Sequence, residues 1–211
     1  MARRRVVVLL AIGLLVLGTG CTGLDVADTT GTESSPSALE TSVGNPDGQL
    51  EVHFINVGQS VSTLVIGPTG ETMLIDTGHF TNDGEYVLQY LREHDIDRID
   101  HLIVSHNDAD HIGGNAAVID YYETEAEGVG AIHDPGIAAS TETYAAYLDA
   151  VEEHNVTLYE TREGDSISFE GVSVRVLGPP EPYLDDEARN ENSLVLQLRF
   201  GETSFLFPGD A

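Results

Sequence analysis

A dense cluster of potential metal ligands occupies residues 105–111, whose sequence is SHNDADH. Imidazole nitrogens and carboxylate oxygens are common protein ligands for divalent cations. The cluster directly follows an apolar run, LIV at 102–104, and directly precedes the pair Gly113-Gly114. We therefore expect a buried strand, a metal-binding turn and the start of a helix.

The spacing of these ligands is compatible with two metal ions. His106 and Asp108 can serve one ion, while Asp110 and His111 serve a second. Two ions about 3.5–4 Å apart suit hydrolysis, because they generate hydroxide and stabilise developing negative charge. The alternative is a solvated acidic turn with two incidental histidines. The two His, the two Asp and the strand before them together favour the metal site.

Strands are predicted wherever short apolar or alternating runs lie between turn residues. The expected ranges are 50–56, 62–67, 72–75, 101–104, 129–132, 156–159, 167–177, 193–200 and 203–207. The range 167–177 is expected to fold back on itself at Glu170-Gly171, and the last two ranges form a hairpin about Gly201-Glu202.

Helices are predicted where apolar residues recur at helical spacing. The expected ranges are 83–93, 113–122 and 141–154, with Asp83 and Thr141 as N-caps of the first and third. Strands come first, then strands alternating with helices, then a hairpin. This order predicts an α+β or mixed α/β fold in which helices pack on sheets.

The chain is strongly acidic, with 36 Asp and Glu against 9 basic residues, all of them Arg. A lysine-free acidic composition is typical of halophilic proteins, because a Debye length of about 3 Å near 1 M salt mutes repulsion between carboxylates. The alternative is an acidic protein from an ordinary organism. Phosphate binding normally needs Lys or Arg, but screening weakens that objection in high salt, so charge does not exclude nucleic acid.

Residues 1–21 have the pattern of an export signal. A charged start, MARRR, is followed by a 15-residue run of apolar and small residues and by Cys21, the only cysteine. The run is shorter than the ~20 residues of a membrane span. The stretch 17–21 resembles a lipobox, and 3–7 resembles a twin-arginine signal. We expect lipidation at Cys21 on the extracellular face of the membrane; an uncleaved N-terminal anchor and plain secretion are the alternatives.

The remaining chain divides into two parts. Residues 22–48 are rich in Thr, Ser, Gly, Asp and Pro and lack aromatic residues, a composition that predicts a disordered tether. Residues 49–211 are predicted to form one domain, long enough to bury a sizeable core.

The motif SHxDxDHxGG at 105–114 resembles the metal motif of the metallo-β-lactamase superfamily. More narrowly, it is similar to the extracellular hydrolase-like domain of ComEC-type DNA-uptake (competence) proteins. Four other stretches resemble that domain in the same order: 54–59, 74–78, 190–196 and 205–211. The resemblance implies an αββα sandwich, of which this chain would hold the first half and the start of the second.

The resemblance also implies roles for single residues. His106 would bind the first ion, together with Asp108, which stands where most members have a histidine. Asp110 and His111 would bind the second ion, and Asp110 would also orient the attacking water as the catalytic residue. Asp210 matches the carboxylate that bridges both ions.

Four further residues are considered around the ions. Asp76 resembles an acid that orients the cluster, with a plain turn aspartate as the alternative. Asn192 could supply a weak oxygen ligand or a substrate hydrogen bond, or serve the start of a strand. His133 lies where relatives shape the substrate cleft, and His79 could face the metals.

The chain departs from the family pattern at three points. Ser60 and Val61 replace a glycine and an acid in the first loop, and no histidine follows His154. The family continues beyond the segment at 209–210 with a second αβ half that carries a final histidine ligand. The C-terminus is therefore expected to be incomplete.

The expected function is an exported hydrolase with two divalent ions, Zn or Mn, that cleaves phosphodiester bonds through a metal-activated water. The partners would be a nucleic acid or nucleotide and, through the lipid anchor, the membrane. The alternative is a non-catalytic or remnant surface lipoprotein, or a binding module with half the fold. β-Lactam hydrolysis is disfavoured by Asp108, and oligomeric state is not predictable.

Overall fold

The structure is a computed structural model that describes residues 47–184 and 188–211. The predicted signal peptide, Cys21 and almost all of the predicted tether lie outside these residues. Within the described ranges, no helix combines the length and the apolar character that crossing a membrane requires.

A six-stranded mixed sheet forms the centre of the fold. Its strands lie side by side in chain order. The first three pair antiparallel and the last four pair parallel. They are β1 (Glu51–Phe54), β2 (Thr63–Ile66), β3 (Thr72–Ile75), β4 (Ile99–Ile103), β5 (Val129–Asp134) and β6 (Leu158–Glu160).

Three helices supply the crossovers between the parallel strands: α1 (Glu85–Glu93), α2 (Asn115–Glu125) and α3 (Glu142–His154). They bury their apolar faces against one side of the sheet, in a cluster that includes Leu74, Leu102 and Tyr122. Each such side chain is fully buried, which contributes roughly 1.5–3 kcal/mol relative to exposure. This face of the sheet therefore holds the larger core.

A three-stranded antiparallel sheet covers the other face. It consists of β7 (Ser173–Gly178), β8 (Val195–Phe200) and β9 (Thr203–Phe207). Val176 and Leu196 pack in one cluster with Met73 and Ile103 of the central sheet. Helices, a mixed sheet and a second sheet thus form successive layers, and the predicted mixed α/β class is confirmed.

Two local predictions were wrong. Asp83 does not cap α1: it takes a left-handed conformation, with φ 50°, and ends a short 3-10 helix, while Gly84 at φ 73° starts α1. The first arm of 167–177 is not a strand, because only an isolated bridge joins Phe169 to Val172. The predicted cap at Thr141 is confirmed, since its hydroxyl accepts a hydrogen bond from the Tyr144 amide at 3.2 Å.

The parallel strands determine where chemistry can take place. The carboxyl ends of β3, β4, β5 and β6 all lie at one edge of the central sheet. Ligands of open α/β sheets bind at this edge. The segments that follow β3 and β4 carry Asp76 and the 105–111 cluster, so the fold brings them to the same place.

Candidate metal centre

The segment 104–114, here called the metal turn, is fixed to the loop that follows β3. The Thr77 amide donates to the His111 carbonyl at 2.8 Å, and the Gly113 amide donates to the Gly78 carbonyl at 2.9 Å. A Cβ at Gly113 would lie 2.1 Å from the backbone nitrogen of Phe80. The glycine pair is therefore required because the two loops pass in backbone contact.

Three of the predicted ligands converge at the metal turn. One ligand atom each from His106, His111 and Asp210 lies within 4.8 Å of the others. The Nε2 of His111 is 3.4 Å from Oδ1 of Asp210. Both histidines are buried, whereas Asp210 is exposed. Two imidazoles and one carboxylate match the ligand types of a divalent metal site.

The free nitrogen of His106 supports the same assignment. Its Nε2 is buried and has no hydrogen-bond partner among residues 47–184 and 188–211. Buried polar atoms are nearly always paired, so an exception calls for an explanation such as a bound ion. The Oδ2 atom of Asp108 lies 3.7 Å from this nitrogen. These residues therefore fit a divalent cation.

Asp76 holds the cluster from behind. Its carboxylate accepts hydrogen bonds from the Ser105 amide at 2.8 Å and the Ser105 hydroxyl at 2.6 Å. Its Oδ2 is also 2.8 Å from Nδ1 of His111. With the Nδ1 proton held there, Nε2 of His111 faces Asp210. Such carboxylate partners fix the orientation and tautomer of metal-binding histidines, which supports the role predicted for Asp76.

The two histidines differ in proton affinity. Burial and the neighbouring His111 lower the pKa of His106. Burial also acts to lower the pKa of His111, but the hydrogen bond and charge of Asp76 outweigh it and raise that pKa. The lowered pKa favours the neutral form of His106, whose Nδ1 lies 3.1 Å from the Ser105 hydroxyl, and the raised pKa of His111 reflects the contact of its Nδ1 with Asp76.

The two aspartates of the metal turn are placed differently. Asp108 is adjacent to the cluster and also forms an ion pair with Arg189, whose Nη1 lies 2.8 Å from Oδ1. Asp110 is half-buried; its backbone carbonyl accepts a hydrogen bond from the Ser60 hydroxyl, and its carboxylate is not part of the three-residue cluster. Its predicted metal and catalytic roles stay predictions.

The side chain of Asn192 is hydrogen-bonded to backbone groups of the loop before β8. Its Oδ1 accepts from the Leu184 amide at 2.8 Å, and its Nδ2 donates to the carbonyls of Leu184 and Ala188 at 2.8 and 2.7 Å. The side chain is fully buried. Its carboxamide is therefore engaged by the loop backbone, which favours the structural alternative.

His133 and His79, the two histidines also considered for the site, are hydrogen-bonded to protein groups. His133 Nε2 lies 3.3 Å from His101 Nδ1, and His133 Nδ1 lies 3.3 Å from the Thr161 hydroxyl. His79 Nδ1 accepts from the Thr81 amide at 3.2 Å and caps the 3-10 helix. Neither is part of the metal cluster.

Arg189 is the residue that sequence reasoning missed at this site. It precedes a recognised stretch at 190–196, but nothing in its spacing relates it to Asp108, 81 positions earlier. Only the path of the loop that leads into β8 brings the two together. The available sequence signal was that Arg189 is one of only nine basic residues in a strongly acidic chain.

Comparison with known proteins agrees with the geometry. The profile of the Metallo-beta-lactamase superfamily matches residues 55–211. ComE operon protein 3 of Bacillus subtilis is 30% identical over 176 residues, covering 76% of this chain and 22% of that protein. Recombination protein 2 of Haemophilus influenzae is 27% identical over 165 residues, covering 76% of this chain and 18% of that protein. The chain thus spans about a fifth of each relative.

Among solved structures, the metallo-beta-lactamase fold protein YhfI from Bacillus subtilis is similar to 79% of this chain. The match covers 61% of that protein, with a TM-score of 0.48 and 11% identity.

Proposed function

Because the chain belongs to the metallo-β-lactamase superfamily, we propose that it is an exported metal-dependent hydrolase that acts on phosphodiester bonds. The observation that carries the proposal is the buried, unpartnered Nε2 of His106 beside His111 and Asp210. A nitrogen held neutral and without a partner is suited to bind a metal ion. A buried histidine without a metal-binding role would be expected to have a hydrogen-bond partner on this nitrogen.

The protein residues have distinct tasks in this hydrolysis. His106, His111 and Asp210 would hold the metal, with Asp108 next to them. When bound, divalent ions lower the pKa of water and offset developing negative charge. Asp76 keeps the proton on Nδ1 of His111 and so presents Nε2 to the site.

Asp110 is proposed to orient the attacking water and accept its proton. Its position within the metal turn, directly before His111, supports this role. Zn or Mn are the metals proposed, since the ligand set mixes imidazole with carboxylates.

The proposal of a phosphodiester substrate is supported by the matched proteins, which include one named Competence protein ComA from Neisseria gonorrhoeae, 28% identical over 166 residues. We propose a nucleic acid or nucleotide as substrate. The signal-like residues 1–21 support a location on the extracellular face of the cell membrane, with Cys21 as the site of the lipid anchor.

The test uses the full chain loaded with Mn or Zn in molar salt, with bis(p-nitrophenyl) phosphate and single-stranded DNA as substrates. Asp110→Asn should lower kcat by about 10²–10⁴-fold, the range for a lost general base. Asp149→Asn, on the exposed face of α3, is the matched control and should leave kcat unchanged. Equal hydrolysis by the Asp110→Asn protein would refute the assigned role.

One observation favours a second candidate function. The carboxylate of Asp110 lies outside the three-residue cluster, an arrangement that would also suit a surface module binding one ion without catalysis. Such a module would bind one ion per chain, measured by elemental analysis, and hydrolyse neither substrate. Hydrolysis that depends on added metal would exclude it.

A further inference from the structure

We propose that Arg189 binds the phosphoryl oxygens of the substrate beside the metal ligands, an inference that rests on the proposed function. The guanidinium Nη1 is 2.8 Å from Oδ1 of Asp108. The other oxygen of that carboxylate is 3.7 Å from the unpartnered nitrogen of His106. One carboxylate therefore separates the cation from the cluster.

The charge of the chain makes this cation unusual. The formal net charge is −27, and the basic residues are nine arginines. In the ranges 47–184 and 188–211, the other arginine ion pairs are Arg92 with Glu85, Arg98 with Asp100 and Arg162 with Glu160. None of these acids is a candidate ligand. Arg189 thus supplies positive charge where an anionic substrate has to approach carboxylates.

Arginine chemistry suits a phosphate more than it suits a single carboxylate contact. A guanidinium has five N–H donors in a rigid plane and binds phosphate through two parallel hydrogen bonds. The ion pair with Asp108 joins one nitrogen to one oxygen, and 39% of the Arg189 side chain remains exposed. Donors are therefore available for an anion from solvent while Asp108 stays paired.

The backbone that carries Arg189 is fixed relative to the site. The buried carboxamide of Asn192 binds the carbonyls of Leu184 and Ala188. The Leu194 amide donates to the Ser105 carbonyl at 2.7 Å. The bonds of Asn192 link residues within the loop, and the Leu194 bond joins the loop to the segment that carries the proposed metal ligands. A positioned cation loses less entropy when it binds an anion, which is how supporting residues contribute to a site.

The same loop also forms a hydrogen bond with the backbone of Asp210, the carboxylate residue of the candidate cluster. The Asp210 amide donates to the Ser193 hydroxyl at 3.2 Å, and that hydroxyl donates to the Asn190 carbonyl at 2.8 Å. Asn190, the residue after Arg189, is thus connected to Asp210 through two hydrogen bonds. Asn192 acquires a role as well, because it holds the turn that presents Arg189.

The experiment measures binding of inorganic phosphate by calorimetry to the Mn-loaded full chain. Arg189→Gln should raise the phosphate Kd by about 10–100-fold, the value of a charge-assisted hydrogen bond. Arg189→Lys should lie between this variant and wild type, because an ammonium keeps charge but loses the planar fork. Arg199→Gln is the matched control, since Arg199 binds the Gly201 carbonyl on the hairpin, and should match wild type.

Metal affinity is measured for the same proteins. It should change less than phosphate affinity in Arg189→Gln, because the substitution removes one ion pair of Asp108 but no ligand, and it takes a positive charge away from the cation. An unchanged phosphate Kd would overturn the inference. So would a parallel loss of metal and phosphate affinity, which would show that Arg189 only positions Asp108.

The inference and the proposed function can fail separately. Phosphate binding that depends on Arg189, without phosphodiester hydrolysis by wild type, would support the anion site and refute the hydrolase. Hydrolysis by wild type, together with a phosphate Kd that Arg189→Gln leaves unchanged, would support the hydrolase and refute the anion site. Wild-type protein that binds Mn but no phosphate would refute the anion site directly.

Discussion

Two histidine pairs in this molecule differ in their hydrogen bonds, although three of the four rings are buried and that of His101 is half-buried. His106 and His111 have ring centroids 4.1 Å apart, and His101 and His133 have centroids 5.4 Å apart. In the second pair every ring nitrogen has a partner, which includes Glu71 at 3.3 Å from Nε2 of His101. In the first pair, Nε2 of His106 has no partner within the part of the chain that the structure describes.

The difference separates a candidate metal ligand from a packed histidine. Burial lowers the pKa of both His106 and His133, so a shifted pKa does not distinguish the pairs. The pair of His106 and His111, here called the metal pair, instead has an unpartnered nitrogen on His106. The ring of His111 has the carboxylate of Asp76 at Nδ1 and that of Asp210 near Nε2. The pair of His101 and His133 joins strands β4 and β5 and uses its donors within the protein.

Removing a ring from each pair should give the largest contrast. His106→Gln should reduce metal affinity by more than the ~10–100-fold that losing a ligand's hydrogen-bond partner costs, since it removes the ligand itself. His101→Gln is the matched change in the other pair and should leave metal affinity unaltered. Isothermal titration with Mn or Zn measures both. Equal losses in the two variants would abolish the distinction.

The partner of the metal pair is the next point to test. Asp76→Asn keeps the side-chain shape and tolerates the φ of 57° found at this position, but it removes the charge that binds Nδ1 of His111. Metal affinity should fall by about 10–100-fold. Asp100→Asn is the control, because that carboxylate binds Thr72 and Arg98 away from the site. A loss confined to thermal stability in both variants would contradict an orienting role.

The backbone next to Asp210 should have a smaller effect on metal affinity. Gly209 has φ 58°, and a Cβ there would lie 2.8 Å from Ser193 Oγ and 3.0 Å from Ser105 Cβ. Gly209→Ala should therefore displace Asp210 and weaken metal binding by less than about tenfold, below the loss of a ligand's partner. Gly164→Ala is the control, because Gly164 also has positive φ, at 90°, but no atom of the described residues lies within 4 Å of the added Cβ. Equal metal affinity in the two proteins would contradict this expectation.

Sequence reasoning located the metal turn because its ligands are local. The same holds for β3 and β9, whose predicted bounds match the structure to the residue, since short apolar runs between turns define them. Arg189 was not predictable, because its contact with Asp108 depends on how a long loop folds back. Long-range packing of this kind has no periodic signal in the chain.

His133 shows the limit of reasoning from position along a strand. It lies near the carboxyl end of β5, as a residue of the cleft should. Yet it pairs in register with Ile103, whose side chain belongs to the core between the two sheets. The alternation of strand side chains directs His133 to that face and Asp134 to the helix side, where Tyr147 binds it.

The smallest expected effect is on the pH dependence of the free energy of unfolding. It concerns His133 in the second histidine pair. Burial and the neighbouring His101 lower the pKa of His133 from 6.5 to about 4. Between these values the unfolded chain binds a proton at His133 that the folded chain does not. The free energy of unfolding therefore falls as pH drops from 6.5 to 4, by on the order of 2 kcal/mol from this residue.

His133→Gln should remove this dependence and leave metal affinity unchanged. Denaturant titrations of wild type and variant at several pH values between 4 and 7 measure the difference, which cancels contributions shared by both proteins. A pH slope equal to that of wild type would contradict the assignment of His133 as a neutral packed residue.

Asp134 provides the opposite sign in nearly the same range. Burial raises its pKa from 3.8 to about 6, so the folded chain binds the extra proton and this residue destabilises the fold as pH rises through that interval. Asp134→Asn should therefore steepen the loss of stability on acidification, whereas His133→Gln should flatten it. Adjacent residues on opposite faces of β5 would then oppose each other in pH dependence, while the metal pair beside them responds to neither substitution.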